Sequence, residues 1–139
     1  MKITMKQMQA LNRLAKKLRL KLVILYGSKV GGKINQESDL DLGVLAEDKP
    51  DYQLFKRLFG AISEIFKGEM VDLRFLNEAD PLFLMQVMKN GRLVFGEEQD
   101  FNELKIQANR RYIDDGRKYF PYQNQLLQQQ QNYLNRMAI

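Results

Sequence analysis

The chain has no histidine and no cysteine among its 139 residues. Without imidazole there is no Ser-His-Asp triad, no imidazole general base and no His-ligated metal, so any metal must be held by oxygen. Without thiols there is no disulfide, no thiolate zinc site and no cysteine nucleophile, a composition compatible with a reducing cytoplasm. No window approaches the roughly 18 apolar residues of a membrane span. The apolar run Leu22–Tyr26 is also too short for the core of a secretory signal. These absences point to a cytoplasmic protein. Acids are missing locally: residues 1–36 carry nine Lys or Arg (Lys2, Lys6, Arg13, Lys16, Lys17, Arg19, Lys21, Lys29, Lys33) and no Asp or Glu. The remaining residues hold thirteen bases against seventeen acids. A basic wall would attract a polyanion such as a nucleoside triphosphate or a nucleic acid. For Lys2–Lys17 the solvated face of one amphipathic helix is the preferred reading.

What is present suits one packed domain: 45% of residues are hydrophobic and 28% charged. Met8, Leu11, Leu14, Ala15 and Leu18 recur at helical spacing and predict a helix over Met5–Leu18. Lys21–Tyr26 and Leu40–Leu45 read as strands. Asp48-Lys49-Pro50-Asp51 starts a helix over Tyr52–Phe66, closed by Gly68, that buries Leu54, Phe55, Leu58, Ile62, Ile65 and Phe66. Met70–Leu76 alternates: Val71, Leu73 and Phe75 face one side, Asp72 and Arg74 the other. Asp80-Pro81 starts a helix to about Lys89, Asn90-Gly91 makes a turn, and Arg92–Phe95 is a short strand. A further helix runs from Glu98 to about Tyr119, interrupted or ended near Gly116 or Pro121. The tail from Tyr122 is Gln-rich and free of acids, with Leu126, Leu127, Tyr133, Leu134 and Met137 near heptad spacing. A terminal helix packed on its own domain and a partner-binding helix both fit it. No internal repeat is present.

The chemistry concentrates in one stretch. Gly27-Ser28 follows the first strand, and ten residues later comes Asp39-Leu40-Asp41. On a strand, acids at i and i+2 point the same way, which is unfavourable unless a cation lies between them. A hard divalent cation such as Mg²⁺ suits carboxylate oxygens and leaves sites free for phosphate. Asp72 is a third candidate, because a two-metal clamp needs several carboxylates. It joins the pair if its strand neighbours theirs; otherwise it is an exposed strand acid paired with Arg74. Gly27 lets the backbone approach a phosphate, and Ser28 adds a hydroxyl. The loop also nearly spells a P-loop, since Gly27, four residues, Gly32 and Lys33 match, but Ile34 stands where Ser or Thr should bind Mg²⁺.

Gly-Ser, ten residues, Asp-x-Asp and a further Asp on a later strand resemble the signature of the DNA polymerase beta-like nucleotidyltransferases, in their minimal, antitoxin-type branch. The resemblance covers roughly residues 20–96. It implies an α/β (α+β) fold, a mixed β-sheet flanked by helices. Residues 1–97 would form the nucleotidyltransferase core and residues 98–139 a C-terminal helical extension of the same domain. It implies transfer of a nucleoside monophosphate, AMP from ATP, with two Mg²⁺ ions. Asp39, Asp41 and Asp72 would be the metal ligands and catalytic residues, with Asp72 also the base for the acceptor. Gly27 and Ser28 would hold the nucleotide phosphates, and Lys29 would add charge beside them. Members of this branch resemble enzymes that add AMP to a tyrosine of a HEPN-type toxin. This chain is not that toxin, whose active site needs a histidine. The family commonly reads Gly-Ser-x-Ala-Arg-Gly; here Gly31 takes the arginine's place, leaving Lys29 and Lys33 as nearby cations. Three alternatives stay open: an antitoxin that neutralises its partner by binding alone, transfer to an antibiotic hydroxyl, and transfer to a nucleic-acid 3′ end.

Overall fold

The computed structural model describes residues 3–27, 39–118, 128–129 and 131–136. Eight elements follow one another: α1 (Met5–Lys17), β1 (Leu20–Tyr26), β2 (Leu40–Ala46), α2 (Tyr52–Ile65), β3 (Val71–Phe75), α3 (Pro81–Asn90), β4 (Arg92–Phe95) and α4 (Glu98–Lys118). The strands form one mixed sheet in the order β3-β2-β1-β4. β1 pairs antiparallel with β2 and β4, whereas β2 and β3 run parallel. The parallel pair requires a crossover, and α2 provides it.

The helix starts were legible because their caps are local. Thr4 and Gln7 form a reciprocal capping box at α1. The Asp51 carboxylate accepts from the Leu54 N–H at 2.8 Å, and Asp80 accepts from Leu82 N–H at 2.8 Å, with Pro81 in the first turn. The turn at Asn90-Gly91 has a different cause from the one its sequence suggests. Gly91 has an ordinary extended conformation, but a Cβ there would run into the Val87 carbonyl and the Ile24 side chain. The position needs a glycine for space rather than for backbone freedom.

Strand alternation divides the core in two. Val23, Leu25, Leu40, Leu42, Val44 and Leu73 pack against Leu11 and Ala15 of α1 and Leu58 and Ile62 of α2. Leu22 and Ile24 point the other way, onto Leu84, Val87 and Met88 of α3 and Leu104 and Ala108 of α4. A register shift between Leu20 and Leu22 lets Leu20 join the α1/α2 side although a regular strand would put both residues on one face. At the far end of β3, Asn77 replaces a strand residue. Its side chain accepts from the Ala46 N–H at 2.9 Å and donates to the Ala46 carbonyl at 2.8 Å, completing the edge of β2. α4 starts at Glu98 and packs on α3 and β1. In the tail, residues 131–136 are helical, with Tyr133 and Leu134 exposed; Leu126, Leu127 and Met137 lie outside the described residues. No helix among the described residues is long and apolar enough to cross a membrane.

Candidate active site

Asp41 is the second residue of β2 and Asp72 the second of β3, and the parallel register sets them opposite each other. Tyr26, the last residue of β1, lies opposite Asp41 on its other side. Paired residues share a face, so Tyr26, Asp41 and Asp72 make one row across three strands, on the α3/α4 side of the sheet. Asp39, just before β2, returns to the same side by alternation. One carboxylate oxygen from each of Asp39, Asp41 and Asp72 lies within 4.8 Å of the others. Asp39 is exposed and the other two are half-buried.

Three carboxylates so close repel one another unless cations intervene. One cation is built in. Arg74, two residues beyond Asp72 on the same face, brings its Nε within 3.6 Å of Asp72 Oδ1. Its guanidinium lies over the Phe83 ring, 5.1 Å from the centroid. Phe83, from the first turns of α3, in turn meets the Tyr26 ring edge-on, at 5.7 Å between centroids and 82° between planes. Phe83 thus links the arginine to the row of strand side chains.

The Tyr26 hydroxyl is buried and has no hydrogen-bond partner among the described residues. Burial, and then the Asp72 and Asp41 charges, push its pKa up to about 12, with Arg74 opposing. It is therefore a neutral group beside the acids, not an anion competing with them.

Gly27 turns the chain out of β1 with φ +80°. A Cβ there would overlap the Asp41 carboxylate. Two constraints, a left-handed backbone and a carboxylate against the main chain, therefore meet at one residue. Ser28 and Lys29, expected to hold phosphate with Gly27, lie outside the described residues.

The donor set fits a hard cation. It offers carboxylate oxygen alone, and the chain has no imidazole or thiolate to favour a softer metal. Three carboxylate oxygens within 4.8 Å of one another are close enough to converge on divalent metal.

The strand of Asp72 adjoins that of Asp41, and Asp72 also pairs with Arg74. Tyr26 and Phe83 had no signal in the sequence, because their site neighbours come from other elements and no spacing marks them.

The chain belongs to the polymerase beta nucleotidyltransferase family, whose pattern matches residues 9–100. It is similar to the protein adenylyltransferase MntA of Aphanizomenon flos-aquae, 32% identical over 91 residues that make up 58% of this chain and 60% of that protein. It is also similar to MntA of Shewanella oneidensis, 34% identical over 86 residues, 59% of this chain and 58% of that one. It therefore spans about three fifths of the length of these relatives. A solved structure of a tri-AMPylated Shewanella oneidensis HEPN toxin in complex with the MNT antitoxin contains a chain that superposes with a TM-score of 0.68 at 23% identity. The match covers 87% of this chain and 98% of that one. At that identity the likeness establishes the fold.

Proposed function

We propose that this protein transfers AMP from ATP to a hydroxyl of a partner protein, a tyrosine of a HEPN-type toxin, and so acts as an antitoxin. The observation that carries the proposal is the row on the sheet: register brings Asp41 beside Asp72, and Asp39 completes a set of carboxylates within 4.8 Å. The adenylyltransferase relatives, and the AMPylated toxin bound to the fold neighbour, support the choice of AMP and of a protein acceptor.

Asp39, Asp41 and Asp72 would hold divalent metal, two Mg²⁺ ions. Such ions, when bound, lower the pKa of an acceptor hydroxyl and offset charge on the α-phosphate and on the departing pyrophosphate. The residues of the chain do the positioning. Gly27, with Ser28 and Lys29, holds the phosphates close to the backbone. Asp72 accepts the acceptor's proton. The acceptor oxygen bonds to the α-phosphorus as the bond to the β-phosphate oxygen breaks, and pyrophosphate leaves with its electron pair. No histidine is required, because the rate comes from orientation and fixed charge.

Gly31, in place of the family's arginine, favours a second reading, an antitoxin that neutralises its partner by complex formation alone. One assay separates the two. The full chain is incubated with Mg²⁺, ATP and the co-encoded helical partner, and the partner's mass is measured. An increase of one AMP per modified tyrosine is expected; a stable complex of unchanged mass would favour the second reading.

A further inference from the structure

Arg74 occupies an unusual position for a surface cation. Its side chain is 57% exposed, yet it is held at two points, by the Asp72 carboxylate at 3.6 Å and by the face of Phe83 at 5.1 Å. Both contacts lie on the side of the sheet that carries Asp39 and Asp41, and the carboxylate it holds is one of the set suited to a divalent cation. A guanidinium and a divalent ion held on one carboxylate repel each other across it. Each therefore weakens the hold of Asp72 on the other. The planar guanidinium has five donors, and its Nε approaches Asp72 at ion-pair distance, 3.6 Å. The rest of the fork suits a phosphate, which arginine binds bidentately. Phe83 supports the guanidinium wherever it stays over the ring face, within about 6 Å of the centroid.

We propose that Arg74 is a place-holding cation: it neutralises Asp72 in the metal-free site and moves onto the nucleotide's phosphates when metal takes the carboxylate. This rests on the nucleotidyltransferase reading above. Arg74 is a positioning residue for metal and a binding residue for triphosphate, and the two roles have opposite signs. Its removal leaves the carboxylates more negative, so a divalent ion alone binds more tightly. The same removal takes a donor and a positive charge from the triphosphate, so the nucleotide binds more weakly.

The test uses the full-length chain and two titrations. Mn²⁺ alone is titrated with detection by electron paramagnetic resonance, and a non-hydrolysable ATP analogue is titrated by calorimetry at saturating Mg²⁺. For Arg74→Gln, Mn²⁺ affinity is expected to rise about fivefold. Its nucleotide affinity is expected to fall about tenfold. Arg74→Lys, which keeps the charge but not the planar fork, should leave Mn²⁺ affinity near the wild-type value and weaken the nucleotide by an intermediate amount. The idea is overturned if both affinities fall together in Arg74→Gln, the sign of a merely structural residue, or if neither moves. Failure of the wild-type chain to bind Mn²⁺ or the analogue at all would instead sink the underlying reading, so the two failures are distinguishable.

Discussion

The two faces of the sheet are built from alternate residues of the same strands, yet they do different work. On the α1/α2 face, Val23, Leu25, Leu40, Leu42, Val44 and Leu73 give an apolar surface over its whole length. On the α3/α4 face the apolar packing of Leu22 and Ile24 gives way, one strand step later, to Tyr26, Asp41 and Asp72. A displacement of one residue along any strand would exchange the faces. The dry face fixes the register, and the register fixes the acids. Stability and chemistry are therefore separable by substitution, even for neighbours in sequence such as Asp41 and Leu42.

The largest effect should come from the acids. Asp39→Asn and Asp41→Asn are each expected to reduce AMP transfer by at least about a hundredfold. Asp39→Asn should melt no lower than the wild type, since it relieves repulsion at an exposed position. Near-normal transfer by the double variant would break the proposed site. The converse substitution is on the dry face. Leu42 is fully buried, and Leu42→Ala should cost about 2–5 kcal/mol in a denaturant titration. The transfer rate per folded molecule should change little by comparison; a rate loss matching that of the Asp variants would show the faces to be coupled.

Gly27→Ala tests the boundary between the two. The left-handed backbone costs an alanine roughly 1–2 kcal/mol. The added carbon also displaces the Asp41 carboxylate, and misplacement of that kind lowers rates on the order of a hundredfold. Transfer should therefore fall further than the melting temperature alone explains.

The smallest effect is expected at Tyr26. Its hydroxyl has no partner among the described residues, so Tyr26→Phe should change stability by less than about 1 kcal/mol near neutral pH. The difference emerges in alkali. The folded state holds the Tyr26 proton up to about 12, above the ordinary value of 10.0. Between those values the folded state binds more protons than the unfolded one, so stability falls as pH rises through that interval. Tyr26→Phe should flatten that fall, and a step near pH 12 in an ultraviolet titration of the tyrosines should disappear with it.

Much of the fold was legible because it depends on local patterns. Leu58 and Ile62 of α2 and Phe66 at its C-cap are buried as the spacing predicts, whereas Leu54, Phe55 and Ile65 are half-buried at the margin of the same face, and Arg92–Phe95 is a strand over those same residues. The register shift that moves Leu20 to the opposite face from Leu22 left no such pattern, because it depends on how β1 meets β2. The Asn90-Gly91 turn was legible as a break, but its cause, the closeness of Val87 and Ile24, was not.

By itself the sequence determined the elements, the oxygen-only chemistry, and the pairing of Asp39 with Asp41, since all of these follow from residue type and from spacing along one strand. Only the tertiary structure decided that Asp72 stands opposite Asp41, that Tyr26 closes the row, and that Phe83 lies against both Arg74 and Tyr26. Strand order and helix packing join residues far apart in the chain, and periodicity within a segment contains no information about which segments become neighbours.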